Sequence, residues 1–218
     1  MNLDAETDGV PKTYPWVGIV LALVAAGALI FAGASKHWLG RSWPRVGVKV
    51  HFGLLDCVNC GQFANQPDQP DLRNGDLIHH YREQIAANGE PSGPWFQLGM
   101  KKTDETAASV SRLFAPMGIT TLVLLFGAAF GLIAMAVLAI AKRRKDRKIS
   151  PSTLTLLALF GSLVSAGLFL KNKPFGPVGV GVQYAFWVYC GALFLGLVSG
   201  QMLAKSIRPE PDPLDQSL

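Results

Sequence analysis

Four long stretches of this chain contain no Lys, Arg, Asp or Glu, although the chain has 20 basic and 15 acidic residues. They cover residues 14–35, 113–141, 149–170 and 174–204. Each is long enough for a helix that crosses the hydrocarbon core of a bilayer, which takes about 20 apolar residues. A single charge at mid-membrane costs about 2.5–3.5 kcal/mol, so a lipid environment explains the exclusion. The sequence therefore predicts an all-α membrane bundle of four transmembrane helices, with the fourth helix at 183–204.

The spanning segments also limit the chemistry that the chain can perform. None of them carries a carboxylate, Lys, Arg or His, the groups from which proton relays and ion paths in membranes are built. The sequence contains no Gly-x-Ser-x-Gly motif, no phosphate-binding glycine-rich loop and no His-Glu-x-x-His motif. We therefore expect a protein that is not an enzyme and that has neither a cofactor nor a metal site.

The charged segments between the spans predict the orientation of the chain. Residues 142–148 hold six basic residues and one acidic residue, and short basic loops stay in the cytoplasm. With four spans, the tails 1–13 and 205–218 are then cytoplasmic, while 36–112 and 171–182 face outward. Because the basic loop accounts for the net charge of +5, that charge predicts no nucleic-acid partner. We expect a multi-pass protein of a bacterial inner membrane or plasma membrane, in contact with its lipids.

The long outward segment 36–112 shows local order of its own. Between residues 45 and 54 apolar side chains alternate with polar or small ones, which predicts a half-buried strand. Asp76 is placed to cap a short helix at 77–88, and 95–98 is a second candidate strand. We therefore predict that this segment forms a small extracytoplasmic cap of sheet and helix above the bundle.

Cys57 and Cys60 form a Cys-x-x-Cys motif in the outward segment, and three interpretations of it stay open. A static disulfide would stabilise the end of the preceding strand in an oxidising compartment. A pair that cycles between dithiol and disulfide would act as a redox carrier, although the outer loop 171–182 has no second pair to pass electrons on. Zinc would need His51, His79 or His80 as further ligands, and the spacing matches no standard zinc site.

The spans contain pairs of small residues at a spacing of four, Gly127 with Gly131 and Gly196 with Gly200. Such pairs let helix backbones approach closely in lipid, where the hydrophobic effect does not drive helices together. Packing within one compact bundle and a contact between two copies of the chain both explain these pairs.

A set of residues spread along the chain matches the pattern of a known family. The set comprises Trp38 or Trp43, then Gly53-Leu54-Leu55, Cys57, Cys60, Arg112, Tyr184, Trp187, Gly191 and Gly196. In this pattern the chain resembles the claudin and peripheral myelin protein superfamily. The resemblance implies a claudin-like fold, in which four spans lie beneath a small antiparallel sheet and these residues have structural roles. Leu55 stands where the family has Trp, and the two cysteines lie closer together than in the family.

The sequence favours a function in protein–protein contact. A charge-free bundle beneath an ordered, nearly neutral cap suits a claudin-like adhesion protein, a scaffold or an accessory subunit. Self-association or a larger membrane protein complex would then supply the partner. The candidate contact residues are aromatic side chains of the cap: Trp43, Phe52, Trp95 and Phe96. The alternative is a membrane thiol–disulfide carrier that uses Cys57 and Cys60, and the resemblance alone adds a channel or pore.

Overall fold

The structure, a computed structural model, describes residues 15–43, 48–60, 71–79, 83, 113–141, 151–173 and 180–207. Within these residues, four helices are long and apolar enough to cross a membrane. They are α1 (Pro15–Ala34), α2 (Phe114–Ile140), α3 (Pro151–Lys171) and α4 (Tyr184–Ile207). The prediction of four such helices is confirmed, and they indicate a multi-pass membrane protein.

Prolines help to define where three of these helices begin. Pro15 and Pro151 are the first residues of α1 and α3, where the ring presets the helical φ and the missing N–H would have had no partner. Pro116 lies in the first turn of α2, which begins at Phe114, so it also interrupts no intrahelical hydrogen bond. The basic loop 142–148 lies outside the described residues.

Small residues set the packing of the bundle, in which α1 lies between α2 and α4 and α3 completes the group beside α2 and α4. A side chain added at Gly131 of α2 would collide with Thr155 of α3. One added at Gly196 of α4 would crowd Leu132 and Leu159. One glycine of each predicted pair therefore packs within the bundle, as the intramolecular interpretation requires.

Buried hydroxyl groups link three of the helices inside the bundle. Thr121 of α2 donates a hydrogen bond to the Oγ of Ser165 in α3, at 3.0 Å. The hydroxyls of Ser162 in α3 and Tyr189 in α4 lie 3.1 Å apart. All four side chains are buried, so these bonds satisfy polar groups that water does not reach.

A five-stranded antiparallel sheet lies beyond the C-terminal end of α1 and the first residue of α4. Its strands are β1 (Leu39–Trp43), β2 (Val48–Phe52), β3 (Asp56–Val58), β4 (Leu72–Arg73) and β5 (Gly181–Val182). Their order across the sheet is β4-β3-β2-β1-β5. Four strands come from the segment between α1 and α2, and β5 comes from the segment between α3 and α4. The prediction that the first segment alone forms the sheet was therefore incomplete.

The strand predicted at 45–54 is present as β2, Val48–Phe52, which ends two residues earlier than predicted. Val50 and Phe52 are wholly buried and Lys49 is exposed, which follows the predicted alternation. Strand β1 was not predicted, because Arg41 interrupts the apolar alternation along it. Residues 44–47, which join the two strands, lie outside the described residues.

The cap helix predicted at 77–88 begins earlier than expected. Residues 74–79 are helical, so Asp76 lies within the first turn and does not cap the helix. The backbone N–H of Asn74, which has no partner within the helix, bonds to the carbonyl oxygen of Leu55, at 2.8 Å. The rest of that helix apart from residue 83, and the candidate strand 95–98, lie outside the described residues.

Candidate functional site

The turn Gly53-Leu54-Leu55 joins the cap to the bundle, and Asn74 holds it from one side. The side-chain Nδ2 of Asn74 donates hydrogen bonds to the carbonyl oxygens of Gly53 and Leu54, at 3.0 and 3.2 Å. Asn74 is 1% exposed, and its amide oxygen has no hydrogen-bond partner in the described part of the chain. The two donated bonds therefore fix the orientation of this side chain and, through it, the turn.

Helix α2 holds the same turn from the opposite side. The carbonyl oxygen of Leu54 lies so close to Gly118 that a Cβ atom at this position would collide with it. Gly53 in turn lies against the end of α1, where a Cβ would be 3.0 Å from the carbonyl oxygen of Ser35. The glycines of the turn and of α2 thus permit direct backbone contact between cap and bundle.

Trp38 fills the space between the sheet and the helices. It is wholly buried, and its indole N–H donates a hydrogen bond to the carbonyl oxygen of Ala32 at 2.6 Å. Its ring centroid lies 5.1 Å from that of Tyr189 and about 6 Å from those of Phe169 and Phe186. Trp38 therefore anchors β1 to α1, α3 and α4.

Of the four candidate contact residues, Phe52 has a described side chain, and that side chain is wholly buried. Its ring packs edge-on against Phe114 with centroids 6.0 Å apart. Phe52 is therefore part of the core, and the prediction that it contacts a partner is corrected. The side chain of Trp43 and the whole of Trp95 and Phe96 lie outside the described part of the chain.

Two histidines meet near the contact between the sheet and the helix bundle. We call His37, His51 and Gln183 the histidine cluster. The Nδ1 atoms of His37 and His51 lie 3.2 and 3.0 Å from the same amide oxygen of Gln183. The two rings stand edge to face with centroids 4.5 Å apart. A Cβ at Gly40 would collide with the Gln183 amide, so the glycine in β1 makes room for it. The cluster links the connection between α1 and β1, strand β2 and the residue that precedes α4.

The hydrogen bonds determine which chemistry the histidine cluster can perform. The Gln183 oxygen only accepts, so a neutral imidazole that donates to it from Nδ1 has its lone pair on Nε2. Neither ring makes a hydrogen bond to a Ser, Thr or Cys side chain among the described contacts, so no nucleophile is paired with a base there. A neutral amide also lacks the negative charge with which a carboxylate stabilises an imidazolium.

Two of the histidines proposed as zinc partners of the cysteines have other partners in the structure. His51 belongs to the histidine cluster, and the Nε2 of His79 lies 3.2 Å from the carboxylate of Glu83 at the exposed surface. Among the described residues, no three His, Cys, Asp or Glu side chains come close enough to hold a metal ion. His80 lies outside those residues.

Cys57 and Cys60 lie at disulfide-bonding distance, with their Cα atoms 5.8 Å apart. Both side chains are wholly buried. Asn59, between them, has a φ of 60°, a left-handed conformation that Asn adopts more readily than most residues. Its side chain donates a hydrogen bond to the carbonyl oxygen of Lys49, at 3.2 Å. The bonded pair therefore closes a tight turn after β3 and ties it to β2.

An ion pair connects the end of α1 to the far edge of the sheet. The Nζ of Lys36 lies 3.0 Å from the carboxylate of Asp71, just before β4. The hydrogen bond from Lys36 is the main cause that lowers the pKa of the Asp71 carboxyl, and the same bond is the main cause that raises the pKa of Lys36. The same carboxylate accepts the backbone N–H of Asn59 at 3.3 Å. Asp71 thus joins three segments of the cap, although it is largely exposed to solvent.

The family-pattern residues in α4 divide between two faces of the helix. Gly196 packs inside the bundle, whereas Tyr184, Trp187 and Gly191 lie on the exposed face. Trp187 is 65% exposed, and no atom lies within 4 Å of a Cβ built on Gly191. Arg112 lies outside the described residues.

The residues that sequence reasoning missed come from separate parts of the chain. Asn74, Gly118, His37 and Gln183 belong to no recognisable motif, and their partners lie on other elements. No local signal in the sequence could have found them, because Gln183 follows His37 by 146 residues.

Comparison of the sequence with protein-family models and with curated proteins gives no match.

Proposed function

We propose that this chain is a non-enzymatic multi-pass membrane protein whose outer cap makes contacts with other proteins. It would serve as a claudin-like adhesion or scaffold protein, or as an accessory subunit of a larger membrane complex. One observation carries the proposal: the 53–55 turn is held between Asn74 and Gly118, which fixes the sheet on the bundle.

A fixed sheet suits protein recognition because a surface that is already ordered loses little conformational entropy on binding. Three further contacts support this rigidity: the buried Trp38, the Cys57–Cys60 bond and the Lys36–Asp71 ion pair. Ser42 and Lys49 lie on the exposed surface of the sheet, where a partner would meet the cap. The histidine cluster supports no catalytic alternative, since its imidazoles share a neutral amide and have no hydroxyl or thiol partner among the described contacts.

Photo-crosslinking in native membranes tests the proposal. A photoreactive amino acid is placed at Lys49 or Ser42 in the cap and, as a control, at Val123, which is 63% exposed on the apolar surface of α2. We expect discrete protein adducts from the two cap positions and none from Val123. If neither cap position gives a protein adduct, the proposed function is wrong.

The orientation of the chain forms part of the proposal. We propose that the cap faces outward and that the basic loop 142–148 and both tails are cytoplasmic, because short basic loops are retained on that side. Accessibility tags inserted near Asn65 and near Arg144 should report opposite compartments. Labelling of both tags from one side of the membrane would overturn the orientation.

The thiol–disulfide carrier is the alternative, and the burial of both cysteines is an argument against it. Thiol–disulfide exchange requires a partner thiolate to reach one sulfur, and both Cys57 and Cys60 are wholly buried. The Cys60→Ser variant distinguishes the two functions, because a carrier would accumulate mixed disulfides with partner proteins. We expect no such adducts, and their appearance would favour the carrier.

A further inference from the structure

The histidine cluster brings three possible metal ligands close to one another. The Nδ1 atoms of His37 and His51 lie 3.2 and 3.0 Å from the amide oxygen of Gln183. Neighbouring ligand atoms of one ion are about 3.0–3.4 Å apart when their bonds to the ion are about 2.0–2.2 Å long. The two distances therefore fit a shared metal ion as well as they fit hydrogen bonds.

The arrangement of the two rings also fits one ion between them. The ring centroids of His37 and His51 are 4.5 Å apart, and the ring planes are inclined by 66°. Two imidazoles that bind one ion through nitrogen at about 2.0–2.1 Å have centroids about 4.5 Å apart when the two bonds meet at a right angle. Right angles between nitrogen and oxygen ligands are typical of Cu²⁺ and Ni²⁺, whereas zinc sites are mostly tetrahedral.

The backbone holds all three ligand residues in place. The carbonyl oxygen of His37 accepts the backbone N–H of Ala185 at 3.3 Å, and Gln183 donates its own N–H to the carbonyl oxygen of Trp38 at 2.9 Å. His51 lies in β2, which pairs with β1 along its whole length. Ligands that are already ordered lose little conformational entropy when they bind an ion.

A glycine in β1 leaves the space that these ligands occupy. Gly40 pairs with His51 in the sheet. A Cβ at Gly40 would collide with the amide of Gln183 and would lie 3.0 Å from the Nδ1 of His51. His37, His51 and Gln183 are each partly exposed, so an ion in the solvent can reach their side chains.

The ligand atoms can bind a metal without a carboxylate or a thiolate. A neutral imidazole carries one proton, and when this proton is on Nε2 the Nδ1 atom has a lone pair for a metal. Imidazole nitrogen suits copper and nickel, and Cu²⁺ ranks highest among the divalent ions of the first transition series for a given set of such ligands. Because all three ligands are neutral, the ion keeps its charge of +2, and water would complete its coordination.

We propose that the histidine cluster binds one Cu²⁺ ion through the Nδ1 atoms of His37 and His51 and the amide oxygen of Gln183. The ion ties the segment that enters β1, and strand β2, to the residue that precedes α4. It therefore stabilises the attachment of α4 and β5 to the sheet, as metal binding stabilises any fold that assembles its ligands. This inference goes beyond the proposed function and does not depend on it, because the ligands are the same whether or not the cap contacts a protein.

Copper titration of the full-length chain tests the site. The protein is purified in mild detergent without a histidine tag and treated with a chelator, and Cu²⁺ binding is followed by electron paramagnetic resonance. We expect one cluster-bound ion per chain, with a tetragonal spectrum that shows coupling to two imidazole nitrogens. No binding of Cu²⁺, or a spectrum without imidazole nitrogen, would overturn the inference.

Two variants remove one ligand each and keep a hydrogen-bond donor. In His37→Asn and His51→Asn an amide N–H replaces the imidazole and can still donate to Gln183, so the fold is retained. Each variant should weaken Cu²⁺ binding by at least about tenfold, since even changes in groups behind a metal ligand have effects of that size. Binding that both variants leave unchanged would disprove the site.

Two further variants complete the test. His79→Gln removes a histidine outside the cluster, whose side chain is 71% exposed, and should leave Cu²⁺ binding unchanged. Gln183→Glu replaces the neutral oxygen with a carboxylate and should tighten binding, because the added negative charge attracts the ion. Equal weakening by His79→Gln and by the cluster variants, or weaker binding in Gln183→Glu, would contradict the assigned ligands.

Hydrogen exchange measures the effect of the ion on the attachment of α4. At a free Cu²⁺ concentration about 100 times the dissociation constant, an opening that separates the ligands should become about a hundredfold rarer. We expect exchange of the backbone N–H groups of Gln183 and Ala185 to slow by that factor in the original protein, and at least about tenfold less in His51→Asn. Copper that binds without slowing this exchange would disprove the role of the ion in holding α4.

Discussion

The carbonyl oxygen of Leu54 rests on the backbone of α2 at Gly118, where any side chain would occupy the same space. This contact sets the distance between the sheet and the bundle. It also gives a structural role to the turn Gly53-Leu54-Leu55, which carries no reactive group.

Gly118→Ala should destabilise the protein, because the new methyl group must displace backbone on one side or the other. Overpacking of this kind costs about 1–3 kcal/mol, so we expect a lower melting temperature in detergent and faster proteolysis within the cap. Gly127→Ala is the matched control, because it adds the same methyl group to α2 in open space. Equal melting temperatures for the two variants would contradict the close contact.

Asn74→Ala should loosen the 53–55 turn, because it leaves the buried carbonyl oxygens of Gly53 and Leu54 without donors. We expect a loss of about 1–3 kcal/mol for each unpaired carbonyl. Thermal unfolding and hydrogen exchange of the turn would measure it. Asn172→Ala provides the comparison, since it removes a similar bond to Leu168 at the exposed end of α3. The role assigned to Asn74 fails if both variants melt alike.

Gln183→Leu should weaken the attachment of α4 to the sheet, because His37 and His51 lose their common acceptor. Gln183→Glu supplies a carboxylate acceptor of the same length and should restore the attachment. Hydrogen exchange at β1 and β5 is the measurement, with faster exchange expected for the Leu variant alone. Unchanged exchange in Gln183→Leu would show that the histidine cluster does not hold the strands.

The ion pair between Lys36 and Asp71 predicts a pH dependence at the edge of the cap. Because the pKa of Asp71 is lowered in the folded protein, its contribution is present above the ordinary pKa of a carboxyl and is lost as the pH falls through the lower folded pKa. Because the pKa of Lys36 is raised, the contribution is also lost when the pH rises through that higher pKa. Both side chains are exposed, so the effect should be small and weaker in high salt.

Asp71→Asn isolates that contribution, since it removes the charge and keeps the shape. Proteolysis near β4 should become faster when the original protein is acidified. The same acidification should change the rate of proteolysis less in the Asp71→Asn variant. Parallel pH profiles for the two proteins would show that Asp71 does not control the stability of this edge.

The sequence predicted those features that depend on composition or on a regular period. The four spans follow from the absence of charge over long stretches, and β2 follows from the alternation that buries Val50 and Phe52. Strand β5 was not predicted, because its two residues lie in a glycine-rich segment and are too few to show an alternation of apolar and polar side chains. The site escaped for a different reason: contacts such as that of Asn74 with the 53–55 turn arise only when distant segments meet.

The pairing of β5 with β1 has a consequence for how the protein is made. The partner strands lie near opposite ends of the polypeptide, so the ribosome must deliver the third span to the translocon before the sheet gains its last strand. Until then the edge of β1 that pairs with β5 lacks this partner and is open to chaperones and proteases. Chains that stall before α4 should therefore be degraded rather than accumulate as stable fragments.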